Sequence, residues 1–468
     1  MLLFPVLLLL LAVGSAQLSW PTQTKEATEF VEKKMAEAID WNVDPCEKLS
    51  KDFLDDIPES IFSGYSTPGI AHCTAHIANS LGWIASHLYL QNLTKEQPGM
   101  KTAAKLLFDE VQAAFATNIG NVPWLKDNPT TRIQAIEKVQ MVEEHTIAYP
   151  DWTLDEKEVN KRYNRHLHVN GQEEDYWEIY RKLQLFKAQS MFQQLSMKEH
   201  VAESCAFFRE GILSADQSLA GVPHYLPLCN AAILQAPYLA FPVPGAPSFF
   251  NIALAAWIIG HEIGHGFDPS VIDYNATGDR MPWMSKAARQ HYDNQTACIV
   301  NQNNNFCFNF TLANCVDGNL TSGETTADSV GFRAAWIAFQ KQKQPLKYQF
   351  TDRRLSCLNQ DQLFFIAMAQ GLCNTMTEEM KRVAILFDPH LPGEFLIRAI
   401  ITSNQDLFGP TFKCEKGSPM MPKQHCDIWK GELEISVIST AESLECTLCM
   451  MCFVLAMVYG GQGLQIIS

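Results

Sequence analysis

Apolar residues fall at helical spacing through most of the N-terminal half of the chain. Residues 26–40 and 99–119 carry that spacing, and in the second Leu106, Leu107, Val111 and Phe115 share one stripe. Residues 131–147 and 175–199 repeat it, divided by the turn-forming Tyr149-Pro150-Asp151-Trp152 and a polar stretch around Gly171. Further on, Ile252 to Gly260 is an unbroken apolar run that reads as a buried helix, and a Pro/Gly-rich segment, Phe241 to Pro247, punctuates the chain just before it. Asn301 to Thr311 is polar and Asn-rich, the composition of a surface loop. No internal repeat and no sustained two-residue alternation occur, so the pattern predicts a mainly α fold. After Trp429 the composition shifts. Cys446, Cys449 and Cys452 precede the apolar run Phe453 to Tyr459, with no fourth metal ligand after them.

Composition narrows the class. With 468 residues the chain can bury a large core in two or three lobes. A formal charge of −15 and the lack of a basic cluster argue against a nucleic-acid partner. Met1 to Ala16 is almost wholly apolar and ends in small residues suited to signal-peptidase cleavage before Gln17. It is shorter than the roughly 20 residues a bilayer span requires. Secretion without a stable membrane span is therefore expected, with a retained signal-anchor at the cell surface as the alternative. Fourteen cysteines agree with an oxidising compartment, as do N-x-[ST] sequons at Asn92, Asn275, Asn294, Asn309 and Asn319.

The candidate chemistry closes the apolar run, as His261-Glu262-Ile263-Gly264-His265. On a helix, positions i and i+4 lie one above the other, so both imidazoles can reach a single metal ion. Glu262 is offset from that line, outside the ligand set yet beside a water on the ion. This is the H-E-x-x-H arrangement of zinc peptidases, two ligands and a general base. A catalytic zinc needs a third protein ligand and one open position. Gly323-Glu324-Thr325-Thr326-Ala327-Asp328 is a second short helical pattern, with carboxylates at i and i+4. One face can present Glu324 to the metal while Asp328 takes the other nitrogen of a ligating histidine. By itself the same stretch also reads as a solvated acidic helix start.

On these residues the chain resembles the neprilysin family of zinc metallopeptidases, which includes the endothelin-converting enzymes. His261 to Asp268 matches the family's H-E-[IL]-x-H-x-F-D segment and Gly323 to Asp328 its G-E-x-x-A-D segment. The likeness runs through Gly278-Asp279-Arg280-Met281-Pro282-Trp283 and Gln362 to Cys373, and reaches Cys426-Asp427-Ile428-Trp429. Val43 to Cys46 and Ile147 to Trp152 are similar to landmarks nearer the N-terminus. The resemblance implies a zincin-like (gluzincin) helical catalytic domain with a small β element and a reduced helical second domain. It implies one zinc per chain held by His261, His265 and Glu324, with Glu262 as general base and Asp328 orienting a ligand. It assigns Asp388 and His390 as the pair that stabilises the transition state, and it pairs Cys46 with Cys414 and Cys298 with Cys426. The expected organisation is a signal peptide at 1–16, a reduced helical domain at 17–215, a catalytic domain at 216–429 and a divergent tail at 430–468.

Departures from the family set the remaining expectations. Most of the missing length falls between Cys46 and Leu81. The substrate-anchoring N-A-[YF]-Y segment survives as Val222-Pro223-His224-Tyr225, and Pro223 cannot donate a backbone hydrogen bond. Leu396 stands where the family has a substrate-binding arginine, leaving Arg398, two residues on, as the candidate. Leu372 stands where a pocket tryptophan is common, and Cys373 lacks its family partner, Cys73 being one alternative. The expected function is a secreted zinc metalloendopeptidase cutting oligopeptides on the amino side of hydrophobic residues. The rival is a family member with impaired turnover that acts as a peptide-binding or scaffold protein.

Overall fold

The computed structural model describes residues 24–38, 84–95 except 85, 99–142, 151–164, and scattered positions between 181 and 189. It continues through 223–234, 245–308, 315–372, 376–418 and 420–433 except 424 and 427. The signal-peptide stretch, Cys46, Cys73, Val222, Cys373, Asn309, most of 175–199 and the tail beyond 433 lie outside the described residues.

Among the described residues the architecture is helical, with one two-stranded antiparallel sheet. Helix α1 spans Lys25–Ala38, α2 Met100–Gly120 and α3 Pro129–Gln140. The last ends seven residues before the expected 147, and it starts with proline in the first turn, where the missing N–H costs nothing. Strands β1 (His224–Leu226) and β2 (Ala231–Ile233) form a hairpin. A π-helical stretch, Ile252–Ala256, leads into α4, Trp257–His265. Then come α5 (Lys286–Asn303), α6 (Gly318–Gln342), α7 (Gln360–Leu372), α8 (Glu378–Phe387), α9 (Gly393–Ile397) and α10 (Phe408–Phe412).

The most extensive pairing joins α4 to α6, and glycines make it close. A Cβ placed on Gly260 would lie 2.7 Å from the Gly331 carbonyl oxygen, and one on Gly264 would lie 2.7 Å from that of Ala327. Behind this crossing, Phe332, Trp336 and Phe339 of α6 pack on Phe364 and Phe365 of α7, with centroids 4.8 to 6.0 Å apart. Every one of these rings is buried. Their burial is the main favourable term holding the lobe together.

Two expectations need correction. Asn301 to Thr311 is a surface loop only in part over its described residues: α5 continues through Asn303, which is buried and donates to the hydroxyls of Thr321 and Thr325, while Asn304 and Asn305 form an exposed turn. Phe306 and Phe308 are buried with Phe395, and a disulfide, Cys307–Cys315, ties the segment. Polar composition misled at Asn303 because its amide nitrogen finds two hydroxyl acceptors inside. The packed chain also passes Trp429. That side chain is fully buried and donates to the Phe267 carbonyl at 3.0 Å, while Gly431 and Glu432 donate to Asn118 Oδ1 and the Asn121 carbonyl at 3.0 Å. Arg333, buried in α6, donates to the Gly431 carbonyl and to Asp406. The Cys298–Cys426 disulfide is present. Cys414 is disulfide-bonded as well, its expected partner lying outside the described residues.

Lys138 of α3 is wholly buried, donating to the Tyr274 carbonyl at 2.5 Å between the rings of Phe267 and Trp283. Burial pulls its pKa down to about 7 against the opposing pull of Asp268 and Asp273. The unfolded chain keeps this proton up to the ordinary lysine value of 10.5, the folded chain only to about 7. Between these values the unfolded state binds more protons, so stability rises with pH across that window. Lys138→Met is expected to flatten the rise. Urea melts of both proteins at pH 6.5, 8 and 9.5 check it, and parallel curves at all three would refute the assignment.

Candidate metal centre

Helix α4 places His261 and His265 one turn apart on the face that meets α6. Their Nε2 atoms are 3.0 Å from one another, and Glu324 Oε2 of α6 stands 3.3 Å from the first and 3.4 Å from the second. Glu324 belongs to no short helical pattern, as the sequence suggested, but to the second turn of the 25-residue α6. Four residues on, Asp328 accepts a 2.7 Å hydrogen bond from His261 Nδ1. His265 Nδ1 donates likewise to Asp268 Oδ2 at 2.7 Å. With both Nδ1 atoms committed as donors, both Nε2 lone pairs point into the same small space.

Asp268 is the functional residue that sequence reading left without a role. It lies beyond the end of α4, where consecutive tight turns (Phe267 N to Gly264 O, Asp268 N to His265 O) fold the chain back under His265. Its other oxygen accepts from the Ser270 amide and hydroxyl. The signal available was its place three residues after a ligating histidine, within reach across one turn.

Glu262 is buried beside this triad, one carboxylate oxygen lacking any hydrogen-bond partner in the protein. Burial pushes its carboxyl above the ordinary range, although His261, His265 and His224 pull the other way. His224, on β1, is a second group without an expected role that acts on this carboxylate electrostatically. Burial alone would lower both α4 histidines. The surrounding carboxylates outweigh it, holding His261 well above its usual value and His265 up at about 9. For Glu324 burial acts upward, and the two histidines overcome it to hold the carboxyl far below its usual range.

Asp388 and His390 also arrive at the site. Asp388 ends α8 and accepts from both the amide and Nδ1 of His390, at 2.9 and 2.8 Å. His390 Nε2 then lies 3.3 Å from Glu324 Oε2, on the exposed side of the centre. Arg398 is different. It opens a π-helical turn after α9 and lies over the Phe306 ring of the small aromatic cluster, 5.7 Å from the centroid.

The donor set fits a divalent cation of the zinc type. Ligands about 2.0–2.2 Å from a tetrahedral ion stand roughly 3.3–3.6 Å apart, close to the spacings seen. Two facing ring nitrogens and four nearby carboxylates make the space one that a cation would suit. Glu324 Oε2, at the centre of the triad, is buried and accepts no hydrogen bond.

Residues 225–428 match the family model described as Peptidase family M13. That span is similar to an M13 peptidase domain. Over 364 residues, 76% of this chain and 44% of the relative, it is 28% identical to endothelin-converting enzyme 1 of Rattus norvegicus. It is 28% identical to membrane metallo-endopeptidase-like 1 of Homo sapiens and 26% to neprilysin-3 of Drosophila melanogaster, again across 76% of this chain. The chain thus spans less than half the length of these curated relatives. Among solved structures, the Mycobacterium tuberculosis zinc metalloprotease ZMP1 with inhibitor aligns at a TM-score of 0.57 and 21% identity, over 76% of this chain and 50% of that one. PepO from Lactobacillus rhamnosis aligns at 0.54 and 21%, over 74% and 49%. These likenesses give the matched span its fold, and every residue of the candidate metal centre lies within it.

Proposed function

We propose that the protein is a zinc-dependent metalloendopeptidase that hydrolyses oligopeptides. The convergence of two Nε2 lone pairs and one carboxylate oxygen beside the buried Glu262 carries this reading. His261, His265 and Glu324 would hold one zinc ion, which, when bound, polarises a carbonyl and acidifies water. Glu262 takes the proton from the attacking water and passes it to the departing amine, a task its raised pKa suits. His390, its ring fixed by Asp388, donates to the carbonyl oxygen as negative charge develops there. Asp268 and Asp328 keep the two ligand rings in the tautomer that leaves Nε2 free.

Cleavage on the amino side of hydrophobic residues accords with the apolar surroundings of Ile258 and Leu372, and extracellular action with the leader-like N-terminus and the disulfides. No helix among the described residues is long and apolar enough to cross a membrane. The hairpin that would receive an extended peptide is only three residues per strand, the one feature that favours the peptide-binding rival. A quenched peptide with leucine after the scissile bond decides between them: hydrolysis lost to a chelator and restored by zinc supports the enzyme, and binding without cleavage supports the rival.

The orienting carboxylates have their own test. Asp268→Ala is expected to weaken zinc binding about 10- to 100-fold. Competition with a chromogenic chelator measures this directly, and an unchanged affinity would remove Asp268 from the site.

A further inference from the structure

Helix α8 leaves an uncovered apolar stripe that runs to the edge of the metal centre. Met380, Val383, Leu386 and Phe387, spaced three, three and one residues apart, are 46%, 54%, 54% and 76% exposed. The helix buries Ala384 beside the stripe and Ile385 on the opposite side, the latter in the cluster around Phe306 and Phe395. Most of the polar side chains of α8 are engaged elsewhere. Arg382 pairs with Glu378, and Lys381 pairs with Glu394 and lies 4.9 Å from the centroid of Phe308. Single exposed apolar residues are ordinary, but a contiguous stripe marks a place where something binds.

Its position says what binds there. The residue after Phe387 is Asp388, which holds His390, and His390 faces Glu324. His390 is the third residue after Phe387, so their Cα atoms lie within about 11 Å. An extended peptide advances about 3.3 Å per residue. A peptide whose carbonyl meets His390 and whose chain runs along α8 would carry a side chain past Phe387 within about three residues of that carbonyl. The stripe is continuous with the site rather than remote from it.

We propose that this stripe, Phe387 above all, is a subsite that takes an apolar side chain of the peptide a few residues from the bond at the metal centre. The proposal rests on the peptidase reading for its substrate, and it adds a specificity determinant on α8 distinct from the apolar surroundings of Ile258 and Leu372. The occupant is the peptide itself, not a second copy of the chain and not a lipid surface.

The test uses two families of quenched peptides that differ only in carrying leucine or serine at one position, scanned across three residues on either side of the scissile bond. At one of these positions the full-length protein should prefer leucine about ten-fold in kcat/KM, through KM. Phe387→Ser, together with Leu386→Ser, should abolish that preference and leave the preferences at the other positions in place. Both residues are exposed, so the changes do not threaten folding. Binding of the same peptides to a Glu262→Gln protein by calorimetry gives a readout independent of turnover: if hydrolysis fails altogether, the leucine preference in binding still reports on the stripe. A preference that survives Phe387→Ser in both assays overturns the proposal. So does sedimentation in which wild-type dimers dissociate on Phe387→Ser, or vesicle binding lost on that change, with peptide selectivity untouched.

Discussion

Glu262→Gln is expected to abolish peptide hydrolysis, lowering kcat by about 10²- to 10⁴-fold, while the protein stays loaded with zinc. The amide has the shape of the carboxylate, so the packed end of α4 tolerates it. What it lacks is a site for the proton. Glu262 is buried and half unsatisfied, and burial raises its pKa. Such a base does nothing when protonated, so wild-type activity should rise with pH as Glu262 loses its proton. Measured side by side, zinc content by atomic absorption and hydrolysis of the quenched peptide separate the two roles in the site. A variant that keeps zinc and cuts within about ten-fold of wild type would refute the assignment of Glu262 as the base.

The largest structural effect is expected at Gly331. It sits in the middle of α6 against the back of His261, and an added Cβ would lie 2.5 Å from the His261 amide nitrogen and 2.7 Å from the Gly260 carbonyl carbon. Both obstacles are backbone, which no rotamer change can move. Relief requires the helices to part, and parting withdraws Glu324 and Asp328 from the two imidazoles. Gly331→Ala should therefore cost about 3 kcal/mol or more and lower zinc affinity together with stability. In an exposed helix the same change would stabilise by roughly 1 kcal/mol. The sign of the shift in the melting temperature thus decides it: a variant that melts no lower than wild type and binds zinc normally would show that the crossing has room to spare.

The chemistry was more legible in the sequence than the scaffold that aims it. The spacing of His261 and His265, and of Glu324 and Asp328, is set by the helical repeat, so any chain with this metal geometry must write it at i and i+4. Asp268 escaped because its contact depends on a tight turn past the end of α4, which has no periodic signature. Helix α6 was under-read because its first half is rich in Gly, Thr and Ser, poor helix formers in isolation. Those small residues are there because α4 and α5 press against them, a tertiary demand that overrides local propensity. Asn303 and its hydroxyl partners hid for a related reason, since a buried polar network looks in one dimension like a loop. Arg398, proposed from its nearness in sequence to a family position, opens a π-helical turn after α9 and lies over the Phe306 ring, a placement that apolar spacing does not signal.

The buried guanidinium of Arg333 has a consequence for how the molecule is made. Its acceptors, Asp406 and the carbonyl of Gly431, lie 73 and 98 residues downstream. While a ribosome is still adding those residues, the helix that bears Glu324 holds a cation with nowhere to discharge it into the interior, and a bare buried charge is among the costliest defects a fold can carry. Docking of α6 onto α4 is thereby expected to wait until the residues through Gly431 have been made, and a metal centre that depends on that docking stays unassembled until then.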